Sequence, residues 1–305
     1  MQKIEHKINE ADIAYIFGDD YPQDLEAALR NCACDACDKE EGKIMIGYSA
    51  RMTPGYHLLL TGTCADCGGP IRSLIFNYDK PDSIVRSIEV YKRVRTALLA
   101  ARELIYFPEN TIFEFDIVLN GAKPVIKRKI QISAHASFHE LHYVIQFAMG
   151  WQHCHLHHFI IDNEIFITVP NEEDWQLIED SRKHPLQHFF QKTGDTLLYE
   201  YDFGDSWYHQ ITLKKIEKAK PNVSYPMLIS GTGACPPEDV GGVHGYAEWI
   251  KTYKNPRAPE HWSAREWFGE YFDPKYFDLE RVQRYYFTDF KKKMKSWDRK
   301  AGWGR

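Results

Sequence analysis

The chain has 305 residues, of which 44% are hydrophobic and 27% charged, and its formal net charge is −5. This length allows two domains with their own cores, and the acidic balance argues against a protein that coats nucleic acid through overall basicity. The sequence contains no run of roughly 18 apolar residues, as a membrane span requires, and its first residues lack the apolar centre of a signal peptide. We therefore expect a soluble, cytoplasmic protein.

Two pairs of cysteines with CxxC spacing stand near the start of the chain, Cys34–Cys37 and Cys64–Cys67. The second pair reads CADCGG, and a glycine directly after a cysteine permits the tight knuckle that turns backbone amides toward thiolates. The spacing predicts a structural zinc site with four thiolates, as in a zinc ribbon. Cys32 is an alternative ligand to Cys34, and reduced unligated thiols or a redox pair remain open.

Residues 81–107 carry apolar side chains at steps of three, four and seven, which predicts one long amphipathic helix that Pro108 ends. We interpret residues 1–80 as a zinc-ribbon-like domain and residues 81–108 as a linking helix. This helix is also a candidate for dimerisation.

The pattern changes to strands from Thr111 onward. Asn120-Gly121 is typical of a hairpin, and Ser137-x-x-Glu140 is a capping box that opens a helix. Further strand pairs follow, among them a hairpin across Asn163. This order predicts an α+β domain whose mixed or antiparallel sheet wraps on one helix.

The stretch 198–213, LYEYDFGDSWYHQITL, alternates aromatic and polar residues on both sides of an acidic turn. Gly204 is the residue that we expect to supply the positive φ of this turn. A second dense segment, CPPEDVGGVHGY at 235–246, is expected to pack against the turn at one end of the sheet.

Several segments between 111 and 286 together resemble the plasmid pRiA4b ORF-3-like family: FHELHYVIQFAMGW with HLHHF, YEYDFGDSWYHQI, CPPEDVGGVHGY and FDPKYFDLERV. The resemblance implies an α/β roll, an association with plasmids and mobile elements, and an unassigned, uncharacterised activity. We interpret residues 109–290 as this roll domain and 291–305 as a basic tail.

The polar and glycine residues of these segments form a candidate site. Its members are Asp202, Asp205, Trp207, His209, Glu238, Asp239, Gly241 and Gly242. Carboxylates with imidazoles can bind a divalent metal and activate water, or act in acid–base catalysis. The same groups can instead cap the turn and the following helix. His155 and His157 are expected on one face of a strand, a geometry that can ligate metal.

Residues 291–305 contain seven Lys or Arg and one Asp. Such a tail is either a solvated, partly disordered end or an arm for nucleic acid, in which Trp297 and Trp303 stack on bases.

Three functional hypotheses follow. The leading one is a non-enzymatic, zinc-containing accessory or binding protein of plasmids or mobile elements, which contacts nucleic acid or a protein partner and no membrane. The alternative is a metal-dependent hydrolase that acts through Asp202, Asp205, His209 and Glu238. The third is a structural domain without any site. The sequence leaves open whether the protein is an enzyme.

Overall fold

The computed structural model describes residues 7–37, 39–53, 56–75, 81–100, 105–161, 165–170 and 178–302. The chain divides into two compact units, one within residues 2–103 and the other within 104–305. Among the helices so described, none is both long and apolar enough to cross a membrane. Both units combine helices with a sheet, so the α+β class predicted from the sequence is confirmed.

The first unit is built on one antiparallel sheet with the strand order β1-β4-β5-β6-β2-β3. Its strands are β1 Lys7–Ile8, β2 Cys32–Cys34, β3 Lys39–Lys43, β4 Met45–Met52, β5 Leu58–Cys64 and β6 Pro70–Ile75. Its helices are α1 Glu10–Phe17, α2 Gln23–Arg30 and α3 Pro81–Ala100. The turn between β5 and β6 carries the second cysteine pair.

Helix α3 packs on α1 within this unit. The Ser83 hydroxyl donates to the carbonyl oxygen of Ile16 at 2.6 Å, and Arg93 forms an ion pair with Asp12. The helix predicted over 81–107 is shorter than expected, since residues 105–107 are not helical. The backbone of this segment forms hydrogen bonds outside the helix: the Phe107 N–H donates to the Gln187 side-chain oxygen at 3.2 Å. The role of α3 as a link between domains stays a prediction.

The second unit begins with a hairpin and one central helix, and further strands and a set of C-terminal helices follow. Its strands are β7 Thr111–Leu119, β8 Lys127–Ser133, β9 His157–Ile161, β10 Ile165–Thr168, β11 Ile178–Asp180, β12 Thr196–Tyr201, β13 Trp207–Lys218 and β14 Met227–Thr232. Its helices are α4 Phe138–Met149, α5 Gly242–Lys254, α6 His261–Phe268, α7 Leu279–Val282, which continues as a π-helical turn Gln283–Phe287, and α8 Phe290–Lys300.

These strands form one mixed sheet in the order β11-β10-β9-β12-β13-β7-β8-β14. The β10–β11 pair is parallel and the other pairs are antiparallel. The turn predicted at Asn163 lies outside the described residues. Helix α4 opens with the predicted capping box, in which Ser137 and Glu140 bond each other's backbone. Because nearly every side chain of α4 is buried, this helix is the centre of the unit's core.

Arg128 ties the end of α4 to the edge of the sheet. Its buried guanidinium donates to the carbonyl oxygens of Ala148, Thr232 and Gly233 at 2.7–3.1 Å, and it lies over the Phe277 ring. Counting one to the Lys127 carbonyl oxygen, the guanidinium donates four hydrogen bonds, all to backbone carbonyl oxygens. Burial lowers the pKa of Arg128 to about 10, which leaves it charged at neutral pH.

The basic tail differs from the expected disordered end, because α8 continues it to Lys300 as a helix. Two groups dock this helix on α4. The Trp297 ring contacts Phe147 with centroids 4.8 Å apart, and the Asp298 carboxylate accepts hydrogen bonds from Tyr143 and His139 at 2.7 and 2.9 Å. The Trp297 ring is therefore half-buried against α4, and Trp303 lies outside the described residues.

Candidate functional site

The four cysteines of the two CxxC pairs form one cluster in the first unit. All four sulfur atoms lie within 4.8 Å of one another. The Sγ atoms of Cys34 and Cys67 are 3.6 Å apart, and those of Cys37 and Cys64 are 3.9 Å apart. A tetrahedral ion with metal–sulfur bonds of about 2.3 Å requires sulfur–sulfur distances of about 3.8 Å. The cluster therefore already has the dimensions of a four-thiolate metal site.

Backbone amides point at these sulfurs, as the knuckle motif predicts. The Gly69 N–H donates to Cys67 Sγ at 3.4 Å, and the backbone of Cys67 and Asp66 lowers the pKa of Cys64 to about 7. The pKa of Cys37, in contrast, is raised to about 12, first by its bond with Cys67. Without a cation, thiols this close resist losing all their protons, so four thiolates here would require a metal ion.

Cys32 does not belong to the cluster. Its thiol is buried and donates to the carbonyl oxygen of Ala28 at 3.1 Å, whereas Cys34 lies within the close group of four sulfurs. Cys34 as the ligand stays a prediction.

In the second unit, the acidic turn between β12 and β13 lies directly against the loop before α5. The Asp205 carboxylate accepts from the Gly241 N–H at 3.0 Å. Gly242 has φ +67°, and a Cβ on it would stand 2.6 Å from the Asp205 carbonyl oxygen. The expected close approach of backbone therefore occurs at Gly242.

The turn itself is built differently from the prediction. Positive φ occurs at Asp202 (59°) and Ser206 (51°), while Gly204 keeps a negative φ. Asp202 tolerates this conformation because its Oδ1 accepts hydrogen bonds from the Gly204 and Asp205 amides at 3.0 and 3.4 Å. Asp202 therefore caps the turn with one carboxylate oxygen and leaves the other free to face His155.

Three carboxylates surround His155, and we call these four residues the acidic-turn cluster. The Nε2 atom of His155 lies 3.6 Å from Asp202, 3.9 Å from Glu238 and 3.3 Å from Asp239. The His155, Asp202 and Asp239 donor atoms lie within 4.8 Å of one another, as do those of Cys154, His155 and Glu238. Burial raises the pKa of Glu238, although Gln152 N–H and Tyr201 hydroxyl donate to it.

Other members of the predicted polar site lie elsewhere. His209 is fully buried and donates from Nδ1 to the Trp207 carbonyl oxygen at 2.8 Å. The Trp207 side chain is also buried, with its ring near Trp151. Neither Asp205 nor His209 belongs to any group of close metal-ligand atoms among the described residues. Glu238 and Asp239 do not cap α5, whose N-cap is Gly241 without a side-chain bond.

The histidines that follow α4 separate into three places, which the prediction of a shared face for His155 and His157 missed. His155 joins the acidic-turn cluster, and His158 bonds Glu200 at 2.8 Å. His153 and His157 meet His142 of α4 in the interior. The prediction was wrong because β9 begins only at His157, and His153 in the preceding loop has φ +57°. The third histidine of this interior group, His142, is the last residue of the FHELH sequence at the start of α4.

The class of protein follows from this geometry: the second unit is a roll of a mixed sheet around one helix, and the unit that precedes it in the sequence contains the cysteine cluster. A family model described as plasmid pRiA4b ORF-3-like protein matches residues 111–281. The chain belongs to this family, as its sequence motifs predicted.

Two known proteins resemble the same part of the chain. The uncharacterized protein y4hQ of Sinorhizobium fredii is 36% identical over 162 residues, which are 52% of this chain and 81% of the relative. A crystal structure of a protein of unknown function, MM3350 from Methanosarcina mazei Go1, is 32% identical, with a TM-score of 0.51, and the match covers 56% of this chain and 97% of that one. The cysteine cluster lies outside the family match.

Proposed function

We propose that the protein is a zinc-containing, non-enzymatic accessory protein that contacts nucleic acid. The observation that carries the zinc assignment is the set of four sulfurs at tetrahedral spacing with no nitrogen or oxygen ligand among them. Four thiolates favour zinc and leave no open position for catalysis, so the ion stabilises the first unit. The family's description, which names a plasmid open reading frame, suits an accessory role on mobile DNA.

Elemental analysis with X-ray absorption tests this assignment. We expect about one sulfur-coordinated zinc per chain, lost in a Cys34→Ser, Cys64→Ser double variant. The matched control, Cys32→Ser with Cys154→Ser, removes two thiols outside the cluster and should keep the ion. Sulfur-coordinated zinc that survives in the first variant, or a wild-type protein without sulfur-coordinated zinc, would refute the proposal.

The contact with nucleic acid is proposed for the exposed side of α8. Lys291, Lys295 and Arg299 recur at four-residue steps and, with Lys292 and Asp298, line a groove of about 490 Å³. Asp298 is the one acidic residue of this lining, and its carboxylate accepts a hydrogen bond from Tyr143 of α4. Trp297, on another side of the helix, packs on Phe147 of α4. A rigid row of cations matches phosphates along a backbone, and such binding weakens steeply with salt.

Fluorescence anisotropy with single- and double-stranded DNA and RNA, each at two salt concentrations, tests this contact. Charge reversal at Lys291, Lys295 and Arg299 to Glu should weaken binding by at least about tenfold and reduce its salt dependence. Reversal of the exposed Lys214, Lys218 and Lys220 changes the net charge equally and should have a much smaller effect. Absence of wild-type binding at low salt would leave a protein partner as the remaining accessory role.

A metal-dependent hydrolase is the second candidate, and the acidic-turn cluster is the observation that favours it. One imidazole and three carboxylates could hold a divalent cation, which lowers the pKa of bound water. Its residues would be His155, Asp202, Glu238 and Asp239, rather than the predicted set with Asp205 and His209. Manganese- or zinc-dependent cleavage of generic phosphodiester and ester probes, lost in Asp239→Asn, would support it. Equal rates in the variant would exclude it.

A further inference from the structure

We propose that His142, His153 and His157 form a second, buried metal site, which takes a borderline transition-metal ion such as Zn²⁺ or Co²⁺ on three imidazoles. The three rings come from α4, the following loop and the first residue of β9, and one nitrogen of each lies within 4.8 Å of the others. His142 and His157 are almost completely buried. Three neutral imidazoles are a donor set that binds these ions well, whereas calcium and magnesium prefer oxygen ligands.

Hydrogen bonds fix the orientation of the His142 ring, as they commonly do for histidines that bind a metal. Its Nδ1 lies 2.8 Å from the Tyr199 hydroxyl, and its Nε2 faces His153 Nδ1 at 2.6 Å. The tautomer that donates from Nδ1 to Tyr199 leaves the Nε2 lone pair for an ion. A ligand histidine commonly donates its second N–H to such a partner, which fixes its orientation.

Gln146 positions the other side of the cluster. Its Oε1 accepts from the His153 backbone N–H at 2.9 Å, so its amide nitrogen must be the group that donates to Tyr199 at 3.2 Å. The same side chain therefore fixes both the loop that carries His153 and the hydroxyl that orients His142. His153 holds a positive φ of 57° in this loop.

Loading an ion requires a small rearrangement. Nitrogen ligands at about 2.0–2.1 Å from a tetrahedral ion stand about 3.3 Å apart, so the 2.6 Å contact of His142 with His153 must open by about 0.7 Å. The His142 and His157 rings lie parallel with centroids 3.5 Å apart. One of the two must turn so that both lone pairs point at the same ion.

The structure provides a negative charge near the three histidines and an opening through which an ion can reach them. Asp298 lies close enough to attract positive charge at His153, and it already accepts hydrogen bonds from His139 and Tyr143 beside the cluster. A cavity of about 250 Å³ reaches His153, and its lining includes Gln152, Trp297 and Lys300. This opening provides an entry route and room for a water molecule as a fourth ligand.

Titration of the full-length protein with Co²⁺ tests the proposal. We expect two spectroscopic classes of cobalt: one with thiolate charge-transfer absorption from the cysteine cluster, and one without it from the three histidines. His153→Asn removes the imidazole at a positive φ that Asn tolerates, and should weaken the second class by more than about 100-fold. His244→Asn removes an exposed imidazole and should change neither class.

Each other outcome argues against the site. A single, purely thiolate class in the wild-type protein would show that the three histidines only pack. A second class that survives His153→Asn but disappears in His155→Asn would assign it to the acidic-turn cluster. Should His153→Asn fail to fold, the imidazole nitrogen resonances of labelled wild-type protein report which rings bind: shifts on addition of Zn²⁺ must occur at His142, His153 and His157.

Discussion

At the scale of single residues, Gly242 joins the two segments that the sequence marked as the densest. Its close approach to the Asp205 carbonyl oxygen leaves no space for a side chain, and its φ of +67° disfavours one independently. The contact therefore holds the loop against the acidic turn and, with it, two carboxylates against His155.

Gly242→Ala should destabilise the protein more than Gly194→Ala does. Gly194 also has a positive φ, +94°, but a Cβ there would meet nothing within 4 Å. The control therefore measures backbone strain alone, about 1 kcal/mol, while the clash at Gly242 should add about 2 kcal/mol or more. Urea unfolding of both variants gives the comparison. Equal losses would mean that the loop moves away from the turn at little cost.

His209 should make the folded state sensitive to acid. Burial lowers its pKa to about 3, against about 6.5 in an unfolded chain. Between these values the unfolded state binds the extra proton, so the free energy of unfolding falls as the pH falls from about 6.5 toward 3, by up to about 1.4 kcal/mol per pH unit.

Urea unfolding between pH 7 and pH 4 measures this dependence. His209→Gln should reduce the slope of the free energy of unfolding against pH by the equivalent of about one bound proton. His244→Gln changes an exposed histidine and should leave this slope as in the wild type. A wild-type slope in His209→Gln would show that the buried imidazole does not control the effect.

At the scale of elements, patterns within one element were the most predictable. The capping box of α4 and the hairpin of β12 and β13 rest on neighbouring residues, and both are present. The turn between β12 and β13 was harder to predict. The Asp202 carboxylate accepts a hydrogen bond from the Gly204 N–H, and the positive φ therefore falls on Asp202 rather than on Gly204. Alternation could not place His153 and His155, since these residues precede the strand.

Helix α8 depends on tertiary contacts that cannot be predicted from its own sequence. Composition alone makes residues 291–305 a charged tail, but Trp297 and Asp298 face Phe147, Tyr143 and His139 of α4. Phe290, the first residue of α8, is also buried and contacts Phe147 with centroids 5.5 Å apart, so a few apolar residues and one carboxylate among many cations dock this helix.

Trp297→Ala should therefore cost about 1–3 kcal/mol of stability, less than a fully buried tryptophan because its ring is only half-buried. Trp262→Ala is the matched control: that ring is 74% exposed, so its loss should change stability by no more than about 0.5 kcal/mol. Thermal unfolding followed by circular dichroism compares the two. Similar effects would indicate that α8 is not firmly docked.

At the scale of the whole molecule, the two units have different cores. The second has a large aromatic core around α4, whereas the first has a core that includes Ile16, Leu58 and Leu60 and brings two turns together at the cysteine cluster. The sequence showed cysteine spacing and the family motifs in separate parts of the chain. It did not predict the three-histidine cluster, whose members come from three different elements.

Removal of metal by a strong chelator should consequently act unevenly. We expect amide hydrogen exchange to accelerate in residues 32–75, which the cysteine cluster joins, and to stay slow in β7, β12 and β13. Mass spectrometry of exchanged peptides measures both regions in one sample, and the Cys34→Ser, Cys64→Ser variant should show the same pattern without chelator. Uniform protection after chelation would mean that the cysteine cluster contributes no stability.

The segment from His153 to His157 sends successive odd-numbered histidines to two different environments, the interior and the acidic turn. Loss or gain of a single residue there would exchange these destinations and place a leucine or cysteine where an imidazole belongs. The length of this stretch is thus as important as the identity of its three histidines, because a change in either would remove imidazoles from both environments.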